Sequence, residues 1–280
     1  MLAPAQLLLL TALALPSLYV LWLSFTDSTY GAAPSFVGLA NYAEIWHDRY
    51  FWWSLTNTLL VVNAVIYLEL VIALCVALVF AGGVPFRKLL LAAIVLPYGI
   101  SEVVAVVVWK AMMDPATGVL ARSLEAIGLP ALDWATDPAA GLGLVGAISI
   151  WLHLPFTFLL LYAALLAVPG ELYEAAWIDG ASAWQTFRHV TVPAILPTLL
   201  LTLIFRYILA FRLFTEVWLL TGGGPARRTE VMAIYLYKQA FTYASFGRGA
   251  AVGWMMVVCS GLIGTLYVGL LYRRGFSARA

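Results

Sequence analysis

Residues 54–80 read SLTNTLLVVNAVIYLELVIALCVALVF, a run in which Glu69 is the one charged side chain. A helix needs about 20 predominantly apolar residues to cross a bilayer, and this run exceeds that. It lacks the strict apolar–polar alternation of a barrel strand, and no other stretch of the chain sustains one. Five further segments have the same character: 5–25, 89–112, 142–168, 194–220 and 250–272. The whole composition agrees, with 64% hydrophobic and 10% charged residues, whereas soluble domains carry about 25% charged residues. The sequence therefore predicts an all-α membrane protein with six transmembrane helices, forming a single domain over residues 1–280. The first segment has no basic leader and is long for a signal-peptide core, so it is expected to be a retained anchor. Tryptophans near the span ends fit interfacial belts.

Other classes are excluded by what is scarce. A net charge of +1 leaves no electrostatic footprint for nucleic acid. Cys75 and Cys259 lie in apolar runs and are expected to be small buried hydrophobes. His47, His153 and His189 form no metal-spaced cluster with them. No Gly-rich phosphate loop ending in Lys-Ser/Thr is present, so no nucleotide site is expected on this chain.

Six spans place connections 82–88 and 169–193 on one side with both termini, and connections 27–53, 114–141 and 221–249 on the other. The first side carries Arg87, Lys88, Arg188, Arg273, Arg274 and Arg279. The second carries Arg49, Lys110, Arg122, Arg227, Arg228, Lys238 and Arg248. The raw counts nearly balance. The bases nearest span ends, Arg87-Lys88 and Arg273-Arg274, favour cytoplasmic termini.

The connection at 169–193 contains EAAWIDGASAWQTFRHVTVP at 174–193. Its residues predict two short helices around a turn. Good helix formers fill 171–178, Gly180 can end that helix in a left-handed conformation, and Ser182 can cap a second one running to about His189. Pro193 then falls near the start of the fifth span, where its missing N–H is harmless. Trp177, Trp184 and Phe187 are large apolar groups on a segment otherwise expected to be solvated. They suit either the headgroup layer or a groove on another protein.

This stretch resembles the loop motif of ABC importer permeases: Glu-Ala-Ala, three residues, Gly, nine residues, an aliphatic, one residue, an aliphatic and Pro. Val190 and Val192 supply the aliphatics. Residues 219–225 (LLTGGGP), 96–98 (LPY) and 169–173 (PGELY) extend the resemblance to the maltose- and trehalose-type sugar permeases, over nearly the whole chain. The extra N-terminal spans and large external domain of some maltose permeases are not expected. The resemblance implies a type I ABC importer permease core in a bacterial inner membrane. It implies that Glu174, Ala175, Ala176, Asp179, Gly180, Trp184, Phe187 and Pro193 couple to a cytoplasmic ATP-hydrolysing subunit, which puts both termini in the cytoplasm. The implied partners are a homologous second permease, two ATP-binding subunits holding ATP and Mg, and an extracytoplasmic solute-binding protein. The chain itself would have no catalytic residue, cofactor or metal. The solute would be a sugar or sugar-like compound such as a disaccharide, polyol or glycoside.

Ionisable groups inside a membrane are costly and are candidates for function. Glu69, Glu102, His153, Arg206, Arg212 and Glu216 lie in or near apolar runs. Helical spacing puts Ser149, His153 and Phe156 on one face, and Arg206, Ala210 and Leu213 on another. Arg212 and Glu216, four apart, are expected to form an ion pair. Arg206 has no acid three or four residues away, so it must either pair with Glu69 or Glu102 on another helix or face a wet cavity. Resemblance to the maltose branch implies solute contacts at Tyr98, Glu102, Ser149, Trp151, Leu152, His153, Phe156, Arg206, Ala210 and Leu213. The asparagines that contact maltose in that branch are missing here, and Arg206 is similar to trehalose-type permeases. A carrier driven by an ion gradient, using the buried Glu and Arg groups, is the alternative.

Overall fold

The structure, a computed structural model, describes residues 3–130 and 132–276. Arg279, counted above among the bases of one side, lies outside them. The described residues are helical apart from loops and two isolated β-bridges.

The chain opens with α1 (Ala3–Leu23), which presents Leu8, Leu9, Leu13 and Leu18 outward. The short α2 (Ala40–His47) follows a loop pinned by Asn41, whose Nδ2 donates to the Ser24 and Thr26 carbonyls at 2.9 and 2.8 Å. Asp48 then caps α3 (Arg49–Ala81) by accepting from the Tyr50 amide. The next helices are α4 (Arg87–Val95), α5 (Glu102–Met112), α6 (Val119–Ala126) and α7 (Pro138–Leu166), the last capped by Asp137.

The central pairing is α3 against α7. Val61 and Val65 meet Leu144, Val145 and Ile148 at one end. Ala73, Ala77 and Phe80 meet Phe158, Leu161 and Tyr162 at the other. The spacings of three and four put these residues of α3 on one stripe. Lipid chains are as apolar as leucine, so close packing rather than the hydrophobic effect holds such helices together. The fully buried Ala73 and Ala77 permit that closeness, as does Gly146, where a Cβ would already touch Val65 at 3.4 Å.

The third span departs from the expected straight helix over 89–112. It is broken into α4, a 3₁₀ turn at Leu96–Gly99 and α5, with a bend of 101°. Pro97 contributes no N–H to the ladder, and Ile100 is extended, so the helix cannot run through.

Beyond α7 come α8 (Gly170–Ile178) and α9 (Ala183–Thr186). A π-helical turn, Phe187–Thr191, leads without interruption into α10 (Val192–Ala210). The fifth span, expected over 194–220, therefore ends at Ala210. After a four-residue turn the chain forms α11 (Thr215–Leu220). No proline or glycine marks this break. It is held by packing, because Leu213, Val217 and Leu220 bury against Ala105 and Val106 of α5. Lys110 Nζ also donates to the Leu219 carbonyl at 2.7 Å. Helices α12 (Met232–Tyr237) and α13 (Phe246–Phe276) complete the described chain.

Four helices are long and apolar enough to span a membrane, and the bent pair makes a fifth. The sixth segment expected from the sequence is α1, 21 residues long and carrying the shorter apolar stretch Leu8–Leu23. The exposure of the cysteines corrects the sequence reading: Cys75 is exposed and Cys259 half-buried.

Candidate functional site

The breaks in the third and fifth spans open a cavity of about 430 Å³ between them and α7. Tyr98 and Glu102 reach it from the bend of the third span, and Ser149 and His153 from α7. Arg206 and Ala210 come from the end of α10, and Leu213, Thr215 and Glu216 from the turn and α11. Arg212 also lines it and is otherwise exposed. The helical spacings that put Ser149 with His153, and Arg206 with Ala210 and Leu213, thus bring both sets to one space.

Three positions implied by resemblance stand elsewhere. Leu152 is buried in the α3–α7 core. Trp151 packs against that core with its ring 5.6 Å from Trp109. Phe156 stacks on the Tyr98 ring at 6.2 Å and so backs the cavity wall.

Arg206 combines the two readings offered by the sequence. It is 2% exposed, and its guanidinium donates to Glu69 of α3 at 2.6 Å. Thr157 of α7 donates to the other Glu69 oxygen, so one buried triad ties together α3, α7 and α10. Yet Arg206 also borders the cavity, and its Nε has no acceptor.

The expected Arg212–Glu216 pair does not form, because the break after Ala210 takes the two residues off a common helix. Glu216 instead lies beside Glu102 and the Ser149 hydroxyl, 1% exposed, with Oε2 lacking a partner. Sequence reasoning missed it as a cavity residue. Its signal was an acid in an apolar run, and the arginine four positions earlier masked that signal. The His153 Nδ1 sits 2.8 Å from the Ser149 carbonyl. A carbonyl can only accept, so Nδ1 carries a hydrogen and Nε2 remains for the cavity. Among the described residues no group of His, Cys, Asp and Glu could hold a metal ion.

The second candidate region is the loop between α7 and α10. Gly180 takes φ +74° and ends α8. Ser182 and Gln185 form a reciprocal capping box at α9. Trp177, Ile178 and Trp184 are 72%, 86% and 66% exposed, and Glu174, Ala175, Asp179 and Pro193 are exposed as well. Ala176 is half-buried, and so is Phe187, which packs on Trp184 at 5.5 Å. A groove of about 650 Å³ lies beneath, between Trp177, Trp184 and Phe187 on one side and Cys75 and Leu78 of α3 on the other.

On the opposite side, connection 221–231 is fastened by charge. Glu230, 1% exposed, pairs with Arg227 at 2.6 Å and Lys238 at 2.9 Å. Bonding to Glu230 raises the Arg227 guanidinium above its ordinary value. Asn57 of α3 donates to the Arg228 and Glu230 carbonyls. In the neighbouring loop the Thr117 amide and hydroxyl hold the Asp114 carboxyl below the ordinary carboxylate range.

The chain is similar to known proteins. Residues 5–274 match the family described as binding-protein-dependent transport system inner membrane component. The chain is 36% identical to the trehalose transport system permease protein SugA of Mycobacterium tuberculosis, over 96% of this chain and 86% of that one. It is 31% identical to the trehalose/maltose transport system permease protein MalF of Thermococcus litoralis, over 90% and 85%. Its fold matches a chain of a bacterial alginate ABC transporter crystallised with an alginate pentasaccharide-bound periplasmic protein. That match has TM-score 0.85 and 23% identity, and covers 99% of this chain and 94% of the other. The chain belongs to the binding-protein-dependent transport system inner membrane components. It is a permease with the type I ABC importer fold.

Proposed function

We propose that this chain is one of two transmembrane subunits of an ATP-driven importer for a sugar or sugar-like solute. An external binding protein delivers the solute. ATP and its magnesium are bound by two partner ATPases, and both termini lie in the cytoplasm. The observation that carries this reading is the continuity of one helical rod, Ala183–Ala210, from the exposed Glu-Ala-Ala loop to the cavity. A shift imposed on Trp184 and Phe187 by a docked partner is transmitted along the rod to Arg206 and Ala210 in the cavity wall. Closure of the ATPases would then turn the cavity outward. Tyr98 offers an aromatic face to a sugar ring, and Ser149, His153, Arg206 and Glu216 offer polar edges to its hydroxyls. The names of the SugA and MalF relatives support a disaccharide of the trehalose or maltose kind.

The test is reconstitution in proteoliposomes. Uptake of labelled trehalose or maltose is expected only when the second permease, the ATPases, the binding protein and ATP are all present. This chain alone should take up nothing. Uptake by the lone chain under a proton or sodium gradient would overturn the reading in favour of an ion-coupled carrier.

A further inference from the structure

At the N-terminal end of α3 three arginines share two aromatic rings. The guanidiniums of Arg227 and Arg49 stand 3.8 and 4.8 Å from the centre of the Tyr50 ring. Those of Arg49 and Arg228 stand 5.4 and 5.1 Å from the Trp53 ring. All four are cation–π distances. Arg227 is neutralised by Glu230. Arg49 and Arg228 are exposed and have no carboxylate partner among the described residues. The loop carrying Arg228 is fixed by Asn57, so these two guanidiniums are held in place before any ligand arrives.

An apolar groove continues from this cluster. Tyr50, Trp53 and Asn57 run on, at spacings of three and four, into Leu60, Ala64 and Leu68 on one stripe of α3. Leu60, Ala64 and Leu68 line a groove of about 350 Å³ along the α3–α7 seam, with Gly143, Ala147 and Ile150 on its other side. Trp53 and Leu60 are about 10 Å apart along the helix axis. The arginine cluster sits just where the apolar run 54–80 begins, the level at which Trp and Tyr meet headgroups. A cationic head over an apolar groove is complementary to a phospholipid. Guanidiniums hold phosphate oxygens by charge-assisted hydrogen bonds, and basic pockets between spans recognise anionic headgroups. An acidic protein surface would satisfy the arginines and leave the groove empty. A second apolar helix would fill the groove and leave the arginines unpaired.

We propose that the α3–α7 groove and the arginine cluster at its head form one site for an anionic phospholipid. Arg49 and Arg228 hold the phosphate, and one acyl chain lies along Leu60, Ala64 and Leu68.

The test is lipid binding to the purified, assembled transporter, followed by native mass spectrometry. The probes are phosphatidylglycerol and phosphatidylcholine with the same chains. Wild type should bind phosphatidylglycerol at least about tenfold more tightly, the effect of one hydrogen bond between charged groups. Arg49→Gln combined with Arg228→Gln should abolish that preference. Arg49→Lys combined with Arg228→Lys keeps both charges and should keep most of it. At Gly143 a Cβ would meet nothing within 4 Å, so Gly143→Leu should fold, fill the groove and weaken phosphatidylglycerol binding severalfold. Equal binding of the two lipids by wild type, or a preference that survives in the Gln variant, would overturn the head site. Unchanged binding in Gly143→Leu, or inorganic phosphate binding as tightly as the lipid, would overturn the groove and leave an anion site only. Intact lipid binding in the Gln variant with loss of binding-protein docking would assign the arginines to that partner instead. Loss of the second permease from the Gly143→Leu complex would make the groove a subunit interface.

Discussion

Arg206 and Glu69 tie the packing of the bundle to the wall of the proposed solute cavity. An unpaired arginine at the membrane centre costs at least about 2.5 kcal/mol on insertion scales. Here the partner comes from α3, with Thr157 of α7 completing the set. Removing one member of a buried pair strands the other charge, at a cost of about 3–5 kcal/mol. Glu69→Leu and Arg206→Leu should therefore each lower the melting temperature of the assembled complex. The double variant should regain most of that loss, because neither charge is left stranded. Simple additivity of the two melting shifts would show that the pair is not coupled. Solute uptake should stay impaired in the double variant, since the Arg206 side chain that borders the cavity is gone as well.

The Glu-Ala-Ala loop depends on two local devices. At φ +74° a valine pays the left-handed penalty of about 1–2 kcal/mol, and loss of the Ser182 hydroxyl removes an N-cap worth about 1 kcal/mol. Gly180→Val should leave membrane insertion intact but abolish stimulation of ATP hydrolysis by the loaded binding protein, and Ser182→Ala should weaken that stimulation. Wild-type stimulation in both variants would mean that the loop is not the coupling element. A different device shapes the opposite side, where the Asp114 carboxylate accepts from the Ala116 and Thr117 amides. Its folded pKa lies below the unfolded value, so its contribution is present at neutral pH and is lost as pH falls through the depressed value. The protection factor of the Thr117 amide should hold down to the ordinary carboxylate pKa of about 3.9 and decline only below it. Loss of protection at clearly higher pH would contradict this sign. The Asp114→Asn variant should lack the acid transition.

Across the whole molecule, the first span is anchored through a close contact with the last. A Cβ on Gly247 would lie 2.0 Å from the Thr26 carbonyl and 3.1 Å from the Asn41 amide nitrogen. Thr26 and Asn41 are themselves buried and hydrogen-bonded. Overpacking of this kind costs about 1–3 kcal/mol. Gly247→Ala should lower the melting temperature of the assembled complex and raise protease access to connection 27–39. An unchanged melt would place the anchorage of α1 elsewhere.

The sequence by itself determined what depends on local pattern. Long apolar runs dictated membrane spans, since a backbone in lipid must satisfy its own hydrogen bonds. Gly180, Ser182 and Pro193 dictated a helix, a turn and a helix leading into a span, and helical spacing grouped Ser149 with His153 and Arg206 with Ala210. Tertiary structure decided what depends on competition between distant partners. Val192–Ala210 stops where Leu213, Val217 and Leu220 gain more by packing on α5 than by extending the helix. That break separates Arg212 from Glu216, turns Glu216 toward Glu102 and leaves Arg206 to Glu69, 137 residues away. Spacing along one helix can propose a salt bridge. Only the packed bundle determines which charges lie within reach and which polar atoms are left without a partner.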